Sequence, residues 1–502
     1  MNRPAWPWPL DLAAALALGA LQTLSYVHTE AWWLQLACVG LLAWRASRVV
    51  PGRAALLGAG YGTAWVAAGT AWLYISMHRY GGLPAWMAVV AVLALAAFLS
   101  LYLAAALAAF ARWRRGQPLA DALLFAAVWL LAELARGMLF TGFPWVAAGY
   151  AHVDGPLAAW APWVGVYGIG AVAAFIAALP ALQPDRSAAS WLRGTALPLL
   201  LVVGPALVGV PDFTRPTGTL SVTLLQGNIP QDQKFESTHQ AAALEWHVGA
   251  LAAATSDLVV APETAIPFLP QQMPEGLWDG LQQRFGQGPT AALVGVPLGD
   301  ERVGYTNSAA GFAAGQPLYR YDKQHLVPFG EFIPSFFRWF TDLMNIPLGD
   351  FNRGPLVAPP FVVKGERIGP NICYEDLFGE ELAARFADEA SAPTILANLS
   401  NIGWFGESIA VDQHLHISRL RSLELQRPML RATNTGATVV IDHRGKVTHW
   451  LTPHTRAVLE GRAQGREGNT PFADWASRFG LWPLGLLALA VLGASVWRRA
   501  GP

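Results

Sequence analysis

Charge is what this sequence has least of. Only 14% of its 502 residues are Asp, Glu, Lys or Arg, where a soluble globular chain carries about 25%. The formal net charge is +0, so no basic field attracts a polyanion, and nucleic acid is not an expected partner. Cysteine is scarce as well. There are 2, Cys38 inside an apolar run and Cys373 in a polar region, a placement that argues against an intrachain disulfide. In a secreted or periplasmic region an unpaired thiol points to chemistry, and a small buried hydrophobe is the bland alternative. Metal-binding spacing is missing too: His414 and His416 are two apart on an expected helix and point away from each other. The Gly-rich stretch 295–304 lacks phosphate-loop or dinucleotide spacing. No metal and no cofactor are therefore expected.

What fills the space is apolar. Hydrophobic residues make up 53% of the chain, with 22 Trp, and the mean hydropathy is +0.33. A membrane-crossing helix needs roughly 20 mostly apolar residues. Such stretches stand at 9–27, 31–47, 54–76, 84–110, 118–140, 157–182 and 194–211, with a last one at 477–497. The first reads as a signal-anchor because further spans follow at once. Arginines alternate between the connections. Arg3, then Arg45, Arg48 and Arg53, then Arg112, Arg114 and Arg115, then Arg186 and Arg193, then Arg498 and Arg499 all fall on one side. By the positive-inside rule both termini are cytoplasmic and the segment after the seventh span lies outside. Glu133 and Arg136, three apart in an apolar helix, are expected to pair with each other. Trp145, in the loop Thr141-Gly142-Phe143-Pro144-Trp145, suits an interfacial anchor.

From about 219 to 465 the pattern changes. Short apolar runs at 220–225, 258–261, 291–296, 368–372, 394–397 and 437–441 read as strands, and 240–255 and 412–427 as helices. Residues 442–446 form a turn between two strands. This is an α/β domain of about 250 residues, one core's worth. Arg419, Arg421 and Arg427 are expected on a helix surface, where a basic patch could also attract phospholipid headgroups.

Three ionisable residues share one setting. Glu263, Lys323 and Cys373 each follow a short apolar run, and strand C-termini at one sheet edge converge on a crevice. A carboxylate, an ammonium and a thiol supply a general base, an oxyanion stabiliser and a nucleophile. Solvated loop charges are the ordinary alternative. After Cys373 a helical pattern opens, and a helix N-terminus beside Cys373 would favour its thiolate.

The words around these residues are more specific. Ala261-Pro262-Glu263-Thr264, Lys323-Gln324-His325-Leu326-Val327-Pro328-Phe329-Gly330-Glu331 and Asn371-Ile372-Cys373-Tyr374-Glu375 resemble the Glu-Lys-Cys signature of the nitrilase, or carbon–nitrogen hydrolase, superfamily. Together with the spans on either side, they resemble its apolipoprotein N-acyltransferase branch over nearly the whole chain. Gly227-Asn228-Ile229-Pro230-Gln231 and Arg431-Ala432-Thr433-Asn434-Thr435-Gly436 take part in the resemblance.

The resemblance implies a multi-span α-helical membrane domain (1–212, about seven helices) and an α/β nitrilase-like αββα sandwich domain (219–465). A C-terminal transmembrane helix and short cytoplasmic tail (474–502) complete the chain. It implies Glu263 as base, Lys323 as oxyanion-stabilising cation and Cys373 as nucleophile, with Glu331, Tyr374 and Glu375 supporting. Phe235, Trp145 and Trp404 are the candidate substrate-binding residues. Phe235 stands where the family often has Trp, and Ile402-Gly403 where an acidic residue is frequent. The implied reaction moves an acyl group from a membrane phospholipid, through a cysteine thioester, to the N-terminal diacylglyceryl-cysteine of an apolipoprotein. The implied location is the bacterial inner membrane, with the catalytic domain periplasmic. The apolar run 336–346 suits either a lid dipping into lipid or a buried loop. A membrane-tethered amidase of the same fold, and a transporter or scaffold carrying an inactive domain, are the rival readings.

Overall fold

The computed structural model describes residues 7–185, 187–232, 237–333 and 350–500. Phe235 and the run 336–346 lie outside the described residues. Two compact units emerge: one of residues 1–74, 83–211 and 479–502, the other of residues 75–82 and 212–478.

The first unit is helical. Its helices are α1 (Trp8–Leu21), α2 (Trp32–Ala46), α3 (Pro51–Gly69), α4 (Ala85–Trp113), α5 (Pro118–Met138), α6 (Ala161–Ala181) and α7 (Ala188–Val208). Among the described residues four helical segments are long and apolar enough to cross a membrane: Ala85–Trp113, Pro118–Thr141, Pro156–Ala181 and Ala188–Pro205. Eight spans were expected, and the difference has local causes. The stretch 9–27 is a 14-residue helix that tightens into a 3-10 turn at Gln22–Tyr26. The stretch 31–47 yields a helix of 15 residues. Helix α3 has 19 residues, but its glycines at 52, 58, 60, 62 and 69 dilute its apolar character. The last stretch breaks at Gly480, whose φ is 54°, into α11 (Pro471–Phe479) and α12 (Trp482–Ala500). These two are bent by 87° and make a fifth crossing only if counted together.

Glu133 and Arg136 do pair, Oε1 to Nη2 at 3.1 Å. Glu133 also accepts from the Ala148 amide at 2.7 Å, and the guanidinium lies 4.9 Å over the Trp65 ring. The charges are thus neutralised within the helical unit.

The second unit is two six-stranded sheets. The first has the order β12-β1-β2-β3-β4-β5 and the second β11-β10-β9-β8-β7-β6. Its strands are β1 (Arg215–Gln226), β2 (Leu258–Ala261), β3 (Ala291–Asp300), β4 (Gly304–Phe312), β5 (Tyr319–Asp322), β6 (Phe361–Val363), β7 (Glu366–Ile372), β8 (Ile395–Ser400), β9 (Met429–Thr433), β10 (Val439–Ile441), β11 (Val447–Trp450) and β12 (Ala457–Glu467). Alternation explains the layers. Leu258 and Val260 of β2 join Leu220, Val222 and Leu224 of β1 in one core with Ile368, Ile372, Ile395, Ala397 and Leu430 of the other sheet. Val259 and Ala261 face the opposite way, toward α8 (Ser237–Ala253) and α9 (Leu277–Gly286), through Leu244, Leu251, Leu281 and Phe285. Helix α10 (Ala410–Leu425) connects β8 to β9. The layering is αββα.

Candidate active site

Glu263 stands two residues past β2, and Lys323 and Cys373 directly follow β5 and β7. β2 and β3 are parallel, β4 is antiparallel to β3, and β5 is antiparallel to β4, so β2, β3 and β5 point the same way. β7, β8 and β9 are likewise parallel to one another. The C-terminal ends therefore gather at a sheet edge, the usual place for a crevice in an α/β fold.

The Lys323 Nζ lies 2.9 Å from Glu331 Oε1 and 3.6 Å from Glu263 Oε1. One side chain joins the two carboxylates: Asn307 Nδ2 donates to Glu263 Oε1 and to Glu331 Oε1, each at 2.7 Å. The second oxygen of Glu263 accepts the Asn401 amide and that of Glu331 the Val327 amide, both at 2.8 Å. Lys323 is 1% exposed and each glutamate 8%. Burial alone would lower the ammonium's pKa, but the charges of Glu331 and Glu263 outweigh it and the net shift is upward. Lys323 is therefore a fixed positive charge.

Cys373 has φ 53°, in the left-handed region that residues with a Cβ rarely occupy. Such strain collects at functional positions. The residue keeps some exposure, yet its surroundings are dense. Burial first, and the Glu263 carboxylate second, push the thiol up to about 12, against the downward pull of Lys323, the Ser400 hydroxyl and the Asn401 amide. The expected helix-stabilised thiolate is not what the fold provides. Cys373–Leu377 is a single 3-10 turn, Gly379–Ala383 a five-residue helix and Ala384–Phe386 another 3-10 turn. Among the described residues no long helix dipole points at the sulfur, so the resting group is a thiol and needs a base to ionise it.

Glu375 accepts four hydrogen bonds. The donors are the Ile372 amide (2.6 Å), the Tyr321 hydroxyl (2.8 Å), the Gln324 amide (2.7 Å) and the His325 amide (3.2 Å). It thus ties the end of β5 to the end of β7 and fixes Lys323 relative to Cys373. Tyr374 is buried, its ring 5.2 Å from that of Phe378 and 5.6 Å from that of His325.

The remaining candidates separate. Trp404 is 40% exposed on the 3-10 turn Ile402–Phe405 that follows Asn401, its ring 5.8 Å from and edge-on to Tyr80. Ile402 is fully buried, and Gly403 faces the polar atoms of Asn401, Thr435 and Gln231. Trp145 belongs to the helical unit and is buried against Trp72, rings 4.6 Å apart, so it is a packed core residue there, not an exposed anchor. Arg421 and Arg427 are fully buried rather than on a helix surface. Arg421 bonds Glu424 at 3.0 Å. Arg427 lies beyond the end of α10 and donates to the carbonyls of Pro393 and Gly468. Their charges looked solvated in sequence because backbone carbonyls distant along the chain satisfy one and a neighbour on the same buried face the other.

Asn307 and Asn401 escaped the sequence reading. Asn307 lies in a polar run, Tyr305-Thr306-Asn307-Ser308, that does not read as a strand yet forms part of β4. Asn401 is held by Gln231 at 2.8 Å and by Asn434 at 3.1 Å, which joins the Gly227–Gln231 and Arg431–Gly436 words at the site. Among the described residues no group of acidic, His or Cys side chains is arranged to hold a metal ion.

Residues 18–179 match the family model of the apolipoprotein N-acyltransferase N-terminal domain, and 221–464 that of carbon-nitrogen hydrolases. An apolipoprotein N-acyltransferase of Verminephrobacter eiseniae is 54% identical, covering 95% of this chain and 94% of that protein. The chain belongs to the apolipoprotein N-acyltransferase family. A Ralstonia nicotianae member is 46% identical over 98% of this chain and 95% of its own, and one from Bordetella bronchiseptica 41% over 97% of each. The fold is accordingly a helical membrane domain joined to a carbon–nitrogen hydrolase sandwich, and the chain is an N-acyltransferase enzyme.

Proposed function

We propose that this N-acyltransferase moves an acyl chain from a membrane phospholipid to the N-terminal amine of a diacylglyceryl-cysteine apolipoprotein, by way of a thioester on Cys373. The observation that carries the reading is the buried Lys323 ammonium, 3.6 Å from Glu263 and 2.9 Å from Glu331, beside the sole thiol of the αββα unit. Glu263 takes the thiol proton as sulfur attacks the ester carbonyl. The tetrahedral oxyanion forms against Lys323, where a preorganised cation counts most. Collapse expels the lysophospholipid alkoxide, which recovers the proton from Glu263, and leaves the thioester. The incoming amine attacks that carbonyl and gives its proton to Glu263. The thiolate departs, is reprotonated, and an amide remains. The alternating arginines support a position for this unit outside the cytoplasm at the bacterial inner membrane, where both substrates reside, and Trp404 beside the site suits contact with an acyl chain.

Intact-mass spectrometry of enzyme purified from membranes tests the central step. A fatty-acyl mass should appear on Cys373 in the presence of phospholipid, disappear with neutral hydroxylamine, be absent in Cys373→Ala and persist in Cys38→Ala. Ammonia release from small amides with no fatty-acyl mass on Cys373 would overturn the phospholipid-to-thioester route.

A further inference from the structure

The strained backbone of Cys373 needs something to hold it. Its carbonyl oxygen accepts from Asn398 Nδ2 at 3.1 Å and from His414 Nε2 at 3.3 Å. Asn398 is itself fixed across the ladder by Asn371 Oδ1 at 2.6 Å. His414, on α10, is 1% exposed and is fixed from both ring nitrogens. Its Nε2 lies 2.8 Å from Asp376 Oδ1, and its Nδ1 lies 2.7 Å from Arg431 Nη2. Arg431 and Asp376 are fully buried, pair with each other at 3.3 Å, and both bond the Ser418 hydroxyl.

These partners settle the tautomer. A guanidinium only donates, so the Nδ1 that faces it is the accepting nitrogen. The proton then sits on Nε2, where it is shared between two acceptors, the Cys373 carbonyl and the Asp376 carboxylate. The ring is neutral, with burial and then the Arg431 charge disfavouring its protonation. Asp376 and Arg431 balance each other. An Nε2–H aimed at the carbonyl of the nucleophilic residue restrains that residue's backbone torsions, and through them the direction of Cα–Cβ–Sγ.

We infer that His414 is a positioning residue for the nucleophile: clamped as the Nε2–H tautomer by Asp376 and Arg431, it holds the Cys373 carbonyl and so aims the thiol at Glu263 and Lys323. The inference rests on the proposed role of Cys373 as the acyl-carrying residue. It assigns work to a polar network that otherwise reads as buried fold machinery. His414 touches no reacting atom, so its effect should fall on rate constants at Cys373 and leave substrate affinity unchanged.

The test uses full-length protein in a Cys38→Ala background, so that Cys373 is the one thiol. Two rates are measured: alkylation of Cys373 by iodoacetamide at fixed pH, and acyl-enzyme formation from phospholipid vesicles. His414→Phe keeps the ring and removes the donor. It should slow both by about tenfold, the equivalent of one hydrogen bond, without raising the KM for lipid. His414→Gln, whose amide can reach the Nε2 position, should recover both rates to within about threefold. Wild-type rates in a normally folded His414→Phe protein would overturn the inference. So would equal losses in both variants accompanied by equally lowered melting temperatures, since the ring would then be packing alone. If instead alkylation follows the expected order while no variant, wild type included, forms an acyl-enzyme, positioning survives and the acyl-transfer reading does not.

Discussion

Lys323 is where two carboxylates and a thiol meet, and its removal should have two separate effects. Lys323→Met should cost at least about a hundredfold in the rate of acyl-enzyme formation, the usual loss for one oxyanion donor. It should also destabilise the fold by about 3–5 kcal/mol, because Glu263 and Glu331 would face each other, buried, without their counter-charge. Stopped acyl transfer and a thermal melt read the two effects separately. The thiol gives a pH prediction. Between its ordinary value of 9.0 and about 12, the unfolded chain has lost a proton that the folded chain keeps. Stability therefore falls as pH rises through that window, and Cys373→Ala should flatten the fall in a melting series from pH 8 upward. At this scale the three candidate residues were legible because each follows a run of apolar residues and sits in a recognisable word. Asn307 and Asn401 were not, because their place beside Glu263 is set by contacts across 44 and 138 residues of chain, the first within one sheet and the second between the two sheets. Arg427 was misread for a related reason: its partners are backbone carbonyls, which carry no sequence signal.

The strands that bear the site also approach each other closely. A Cβ placed on Gly295 of β3 would stand 2.2 Å from the Pro262 carbonyl oxygen and 2.8 Å from the Glu263 Cα. Backbone cannot yield there as a side-chain tip would, so Gly295→Ala should displace Glu263. The expected outcome is a loss of about 1–3 kcal/mol in stability, as for other overpacked sites, with a larger proportional loss of acyl transfer. A melt beside a turnover assay decides it, and a variant with normal activity would mean that Glu263 tolerates the shift. Among the elements, parallel strands buried on both faces were the easiest to read. Leu258–Ala261 is an unbroken apolar run, and such runs mark central strands. β12 was missed because one of its faces is open and carries Glu460 and Arg462. Helices α1 and α2 are shorter than the apolar stretches that contain them, because apolar composition continues past their ends through turns that hydropathy alone does not register.

At the scale of the molecule the alternating arginines make one firm prediction. A topology reporter fused near Pro216 should be active only outside the cytoplasm, and one fused after Arg499 only inside. Both on the same side would mean that the number of crossings has the wrong parity. A different property follows from the first sheet. β1 opens the αββα unit and β12 closes it, and the two are paired from Arg215 opposite Glu467 to Gln226 opposite Ala457. The first and last strands of the unit thus end side by side, about 5 Å apart, the spacing of one rung in an antiparallel ladder. In the terms of an engineer, the sandwich is a cassette. Its two ends are held together by one ladder, so its sheet closes on itself without help from the helices before and after it. A loop of such length closed by its own first and last strands also has its ends already joined when the sheet forms, so the sandwich can complete its fold without waiting for the final helix to be synthesised.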